Sequence, residues 1–387
     1  MGEGGDCGAV GAQFRSAFSV ERPLFMTPVE TEIRRIVAAD GPISVAQFMA
    51  LALGHPAHGY YVTHDPFGVR GDFITAPEIS QMFGELVGLW AAATWTAMGR
   101  PARVRLVELG PGRGTLMADA LRAAKVVEDF CASLALDLVE TSPLLRQRQE
   151  QALGDCSAPL HWYAALADVP EGDPLIVIAN EFFDALPVHQ AVRTPDGWHE
   201  RMVGIGEDEK LMLALHPDPM PNFSAVLPAS VGTAPVGAIY EWRSDTLVTD
   251  LAGRLVRDGG AALIIDYGHC ESACGETLQA VGRHGFAPLL ERPGEVDLSA
   301  HVDFAALGRS ALRAGARVLG PVTQRAFLRE LGIETRAAML KTSAPACAVE
   351  IDAALARLTE DGPRGMGELF KVIALADPRL GALPGFG

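Results

Sequence analysis

The chain has 387 residues, 49% apolar and 21% charged, which is enough apolar sequence for a large core and too much for a mainly disordered chain. Its formal charge of −16 disfavours nucleic acid as a partner, because an acidic surface repels phosphate. The six cysteines include no CxxC pair, and a chain of this length builds a core without disulfide staples, so a reducing compartment is expected.

Residues 1–27 read as a flexible tail that carries neither an apolar signal segment nor an arginine-rich transit pattern. The uncharged stretches 41–64 and 219–240 are broken by prolines, so a cytoplasmic location without membrane insertion is expected. Residues 28–100 read as a helical region. Ile33, Ile36 and Val37 recur at helical spacing, followed by Val45, Phe48 and Met49. Thr75 and Glu78 have the spacing of a capping box for a helix with Ile79, Met82, Phe83, Leu86, Trp90 and Ala93 on one face. Thr75 is also a candidate cofactor contact.

From residue 101 strands and helices alternate. Apolar runs fall at 105–108, 136–140, 160–163, 175–179 and 261–266, with helical patterns at 115–124, 143–153 and 244–256. Runs without polar alternation suit strands buried on both faces, and the alternation predicts an α/β fold with a mostly parallel sheet. The core is expected in two parts, 101–187 and 241–377. Between them, 188–240 reads as an inserted antiparallel hairpin and Pro-rich segment. A Gly-rich loop should follow Asp266, and helices should finish the chain.

The most informative stretch is Glu108-Leu109-Gly110-Pro111-Gly112-Arg113-Gly114, between a predicted strand and a predicted helix. Gly110, Gly112 and Gly114 allow close backbone approach to a ligand, and the helix start offers N–H groups to an anionic group. A dinucleotide site would want G-x-G-x-x-G and no acid at the strand end. Glu108 suits a ligand with an ammonium and a sulfonium; S-adenosylmethionine has both, plus a carboxylate for the N–H groups. Pro111 restricts the loop. Glu140, at the end of the next predicted strand, is the candidate for the ribose hydroxyls. The alternatives are a ligand-free turn for the loop and a solvated helix-opening acid for Glu140.

The run 175–179 leads into Asn180-Glu181-Phe182-Phe183-Asp184, where ligands of open α/β sheets sit. Asn180, Glu181 and Asp184 are the candidate catalytic residues. Two acids favour a cationic acceptor, and a guanidinium matches paired carboxylates; Asn180 as a plain helix cap is the alternative. Asp266, His301 and Asp303 are weaker candidates for the acceptor side. No metal is expected, since His269, Cys270 and Cys274 supply three ligands without a fourth.

Taken in order, GDFITAPEIS, ELGPGRGTL, NEFFDALPV, IIDYG and DLSAHVDF resemble the mitochondrial complex I assembly methyltransferases and their bacterial relatives, over roughly 45–375. The resemblance implies a seven-stranded methyltransferase core with added helices, S-adenosylmethionine as donor and a protein arginine as acceptor. In the mitochondrial members it implies a complex I subunit as target, in the matrix. Two other functions stay open at this point: methylation of a small metabolite, and a non-catalytic cofactor-binding assembly chaperone.

Overall fold

The computed structural model describes residues 26–64, 75–282, 285–362 and 365–387. The expected tail therefore lies outside the described residues up to position 25, as does the GDFI part of the first motif. The main sheet is built, in chain order, from β1 (Val104–Leu109), β2 (Leu134–Val139), β3 (Leu160–Tyr163), β4 (Leu175–Asn180), β5 (Gly260–His269), β6 (Arg317–Thr323) and β7 (Phe370–Ala376). Their spatial order is β6-β7-β5-β4-β1-β2-β3. All neighbouring pairs are parallel except those made by β7, which runs antiparallel to both β5 and β6. This is the expected α/β sheet of seven strands, joined at one end of β5 by the two-residue strand Val302–Asp303.

Side-chain alternation sorts the sheet's two faces. Leu106, Ile176, Ile178, Leu263 and Ile265 enter one buried cluster; Val107, Leu109, Val177, Ala179 and Ile264 enter another. The first face is covered by helices Gln81–Ala97 and Thr115–Ala124 and by C-terminal helices. The second is covered by Thr246–Asp258 and Phe304–Arg313. Helices Gln81–Ala97 and Thr115–Ala124 approach very closely: a side chain at Gly88 would lie 2.3 Å from the Ala120 carbonyl oxygen.

The expected capping box at Thr75 does not form. Thr75 precedes a single short helix, Ala76–Ile79, without a side-chain cap bond, and the long helix starts at Gln81 on Ser80, whose hydroxyl accepts from the Met82 N–H. Glu78 instead accepts from the Thr115 hydroxyl at 2.6 Å, tying the short helix to the glycine-loop helix. The loop expected after Asp266 is in part strand: β5 continues to His269, and Gln279–Gly282, Gly285–Ala287 and Asp297–Ser299 form a small antiparallel sheet. The chain's end holds two strands, β6 and β7, besides its helices.

The hairpin Val188–Thr194 and Gly197–Ile205 belongs to a five-stranded sheet that also takes in Ile43–Ser44, Leu211–Leu215 and Ile239–Arg243. Val188 and Val203 of this hairpin share a buried cluster with Val29, Ile33, Phe48 and Tyr60 of the N-terminal helices and with Leu278, Ala280 and Leu298. A second wall is thereby built beside the carboxyl ends of the main strands.

Candidate active site

From β1 the chain moves outward through β2 and β3; it then returns to β4, on the other side of β1. Such a reversal leaves a crevice beyond the carboxyl ends of the two central strands. Glu108 and the glycine loop leave β1 at this crevice, and Asn180 and Glu181 leave β4 there.

The glycine loop has φ of 63°, 53° and 83° at Gly110, Gly112 and Gly114, a region costly for other residues. The Gly114 N–H closes the turn on the Pro111 carbonyl at 2.8 Å, and helix Thr115–Ala124 begins directly after it. A side chain at Gly110 would meet the Phe182 ring at 2.7 Å. The missing side chain thus lets the loop after β4 lie over the loop after β1.

Glu108 is 3% exposed, and one of its carboxyl oxygens has no hydrogen-bond partner. Burial alone pushes its pKa up to about 8. Asn180 Oδ1 is likewise buried without a partner. Two unpartnered acceptors at one cavity wall suit a ligand that brings N–H donors or positive charge.

Glu140, just past β2, accepts from the Ser142 N–H at 2.7 Å and from Gln149 Nε2 at 3.2 Å. The same Gln149 amide nitrogen donates to the Gly112 carbonyl at 2.7 Å, and Gln149 Oε1 accepts from Trp162 Nε1 at 2.8 Å. A single fully buried glutamine therefore connects the glycine loop to the acid of the next strand. Each oxygen of Glu140 keeps a lone pair for a ligand hydroxyl.

Glu181 adopts φ 49°, an uncommon conformation for a non-glycine residue. Its N–H donates to the Ile265 carbonyl at 2.9 Å, while its carboxyl accepts from the Ala76 N–H and from Asn180 Nδ2, both at 3.1 Å. Burial, opposed by the Ala76 N–H and reinforced by Asp184, raises its pKa to about 7. Asp184 accepts from the Tyr267 hydroxyl at 2.8 Å. Burial raises its pKa, with the Tyr267 hydroxyl and the Arg243 charge working against the rise. Asp266 accepts from the Phe183, Asp184 and Tyr267 N–H groups and so holds the loop after β4 on β5. Arg243 fixes the same loop from the hairpin sheet by donating to the carbonyls of Asp184, Leu186, Ala300 and His301.

Two cavities meet here. The larger, of about 450 Å³, is lined by Gly110, Gly112, Glu140, Glu181 and Phe182 and reaches Met49, Leu53 and Tyr61 of the N-terminal helices. The smaller, of about 40 Å³, is lined by Thr75, Glu108, Pro111, Arg113 and Asn180, and shares Gly110, Gly112 and Glu181 with the larger. The structure thus gathers Thr75, Glu108, Gly110, Pro111, Gly112, Glu140, Asn180 and Glu181 around one crevice. Gly114 starts the helix behind it, and Asp184 is not among the lining residues of either cavity. Asp266 is fully buried beneath the loop. His301 and Asp303 line a separate cavity of about 110 Å³ with His269 and Cys274, and Asp303 caps helix Phe304–Arg313. Among the described residues no group of three or more His, Cys, Asp or Glu is placed to hold a metal ion, and no helix is long and apolar enough to cross a membrane.

Gln149, Tyr61 and Arg243 were not expected. A signal existed only for Gln149: it occupies the buried stripe Leu145, Gln149, Leu153, where a polar residue calls for partners.

Comparison with known proteins agrees with this geometry. Residues 86–322 match a family of S-adenosyl-L-methionine-dependent methyltransferases. The mitochondrial protein arginine methyltransferase NDUFAF7 of Danio rerio is 40% identical over 332 residues, covering 79% of this chain and 77% of that one. Its counterpart in Homo sapiens is 35% identical over 380 residues, covering 90% and 83%. A crystal structure from Burkholderia thailandensis, bound to S-adenosyl-homocysteine, superposes with a TM-score of 0.82 at 30% identity, covering 92% of this chain and 93% of that one. The family match spans more than half of the sequence and the fold match nearly all of it, so the chain belongs to this family of S-adenosyl-L-methionine-dependent methyltransferases.

Proposed function

We propose that this enzyme methylates the guanidinium of an arginine in a protein substrate, with Glu181 as the group that receives the acceptor. The observation that carries the reading is the placement of Glu181 on the wall shared by both cavities, with a carboxyl fixed by Ala76 and Asn180 and a pKa near neutrality, about 7. The names of the relatives, protein arginine methyltransferases, support it.

The donor fits the residues present. Glu108 and Asn180 offer buried, unpartnered oxygens to its ammonium group, and the glycine loop leaves room where side chains would intrude. Glu140, aimed by Gln149 and Ser142, is placed for ribose hydroxyls in the larger cavity. When bound, S-adenosylmethionine supplies the electrophilic methyl group. Glu181 holds the guanidinium through its N–H groups, leaves one nitrogen directed at the donor, and takes the proton that this nitrogen loses as its new N–C bond replaces the donor's S–C bond, with S-adenosyl-homocysteine as the leaving group. Orientation accounts for most of the rate gain, and proton acceptance adds roughly 10²–10⁴-fold. Asp184 sits behind Glu181 and steadies the loop through Tyr267.

In its finer form, the substrate is a subunit of respiratory complex I, the modification serves assembly, and in a bacterial cell the reaction runs in the cytoplasm. The test uses methyl-labelled donor and protein extract from cells lacking the gene. The expected result is label in methylarginine, with the rate lowered at least ~100-fold in Glu181→Gln while S-adenosyl-homocysteine still binds. Label confined to small molecules would overturn the reading. Mass spectrometry of complex I from cells with and without the gene then tests the finer form.

A further inference from the structure

The Glu181 carboxyl is aimed through one of its oxygens. The Ala76 N–H and Asn180 Nδ2 both donate to Oε1, each at 3.1 Å, which leaves Oε2 for the acceptor. Asn180 is the adjacent residue, whereas Ala76 lies 105 positions away, at the start of the short helix Ala76–Ile79. A helix of four residues has too few internal hydrogen bonds to hold its own place, so its pose is set by what it packs on. Ala76 and Pro77 are buried, and Thr75 makes no cap bond. The side chain that ties this helix down is Glu78, which accepts from the Thr115 hydroxyl at 2.6 Å.

Thr115 is the first residue of the helix that follows the glycine loop, directly after Gly114. A strut thus runs from the Thr115 hydroxyl to the Glu78 carboxyl, along the backbone to the Ala76 N–H, and on to Glu181. Pro77 lies inside it, and its fixed φ passes a displacement at Glu78 on to Ala76 instead of absorbing it. One end of the strut follows β1 and the other leaves β4, the neighbouring strands that open the crevice.

We propose that Thr115 and Glu78 are positioning residues for methyl transfer: their hydrogen bond sets the short helix, and the Ala76 N–H then holds Glu181 in the orientation that receives the guanidinium. The proposal deepens the arginine reading above and rests on it. Thr115 belongs to the helix behind the glycine loop, yet its hydroxyl serves the Glu181 side. Both residues line the smaller cavity with Glu108, so direct contact with the donor is the competing role.

The test measures transfer of label from saturating methyl-labelled donor into arginine of protein extract from cells lacking the gene. S-adenosyl-homocysteine affinity is measured calorimetrically alongside. Thr115→Val and Glu78→Ala each remove the bond and should lower the rate roughly 10- to 100-fold, the range that misplacing a reacting group costs, with S-adenosyl-homocysteine affinity unchanged. Thr115→Ser and Glu78→Gln keep a hydroxyl donor and an oxygen acceptor and should return most of the rate. The double variant Thr115→Val/Glu78→Ala should be no slower than either single one, because both remove the same bond. The pH profile adds a readout that a bracing role would not move. Burial raises the Glu181 pKa; the Ala76 N–H is the largest influence against that rise, ahead of Asn180 and Arg357, while Asp184 adds to it. A loosened Ala76 bond should therefore shift the acidic limb of the rate profile from about 7 to higher pH.

Undiminished rates in Thr115→Val and Glu78→Ala, against a wild type that makes methylarginine, would overturn the strut and leave the arginine reading intact. Additive losses in the double variant would overturn it too, as would a fall in S-adenosyl-homocysteine affinity that matches the fall in rate, by showing a donor contact. Thr115→Cys, a weaker donor of similar size, carries the same test where the larger changes do not fold: a wild-type rate there also overturns the strut. Wild-type label found only outside arginine would overturn the arginine reading and, with it, the proposal.

Discussion

The glycine-loop side of the crevice and the Glu181 side are assembled from different ranges of the chain. On the first, Glu108, the loop, Glu140, Gln149 and Trp162 come from consecutive strands and helices, and the hydrogen bonds among the last four span at most 37 positions. On the second, the Glu181 carboxyl is fixed by Ala76, 105 positions away, and its loop by Asp266 and Arg243. Tyr61 reaches the same cavity from the N-terminal helices. A local site forms as its βαβ unit forms; a long-range site forms only once hairpin sheet, N-terminal helices and main sheet have docked. Changes on the first side should therefore act on donor binding alone, and changes on the second should act on turnover or on acceptor recognition.

The largest effect that would sharpen this contrast is expected for Gly110→Val. At φ 63° a β-branched residue is strained, and its side chain would run into the Phe182 ring at 2.7 Å. The strain and the displacement of the loop together should weaken S-adenosyl-homocysteine binding by at least ~1000-fold, or about 4 kcal/mol. Calorimetry showing wild-type affinity in that variant would detach the loop from the donor.

Next in size is Gln149→Leu. Removing the amide strands the Gly112 carbonyl, one oxygen of Glu140 and the Trp162 indole N–H, the Glu140 contact buried and the other two part-buried. Unpaired polar groups of this kind cost about 2 kcal/mol, or roughly 30-fold in S-adenosyl-homocysteine affinity. A control separates aim from stability: adenosine analogues without ribose hydroxyls should lose much less affinity than S-adenosyl-homocysteine does. Equal losses would mean that Gln149 braces the fold without directing Glu140.

The contrast in range also explains what the sequence disclosed. The core strands were legible because unbroken runs such as Leu175-Ile176-Val177-Ile178-Ala179 suit only a position buried on both faces. The glycine loop and its acids were legible because their spacing is itself the chemistry. Strand β7 was not, since its apolar run pairs antiparallel between β5 and β6 and looks locally like any buried segment. The three-residue strand Asp297–Ser299 has too little sequence to show a period. Thr75 and Glu78 had the right spacing for a cap, yet tertiary partners claimed Glu78: the Thr115 hydroxyl outcompeted local capping. Tyr61 carries no sequence signal, because only the docking of the N-terminal helices brings it to the cavity.

The smallest expected effect is graded by pH and again belongs to the glycine-loop side. With a pKa of about 8, Glu108 is mostly neutral at pH 7 in the free enzyme, owing to burial. A ligand ammonium beside it favours the charged form and lowers that pKa, so binding must expel a proton. The sign follows: below pH 8 each step toward alkaline conditions removes part of that cost, so affinity for S-adenosyl-homocysteine should rise with pH by at most ~10-fold per unit and level off above 8. Calorimetry in buffers of different ionisation heat should register proton release at pH 7, and Glu108→Gln should abolish both the release and the slope. A flat profile in the wild type would place the ammonium elsewhere. A slope that survives in Glu108→Gln but vanishes in Glu181→Gln would assign it to the other side of the crevice, and the separation of the two sides would then fail.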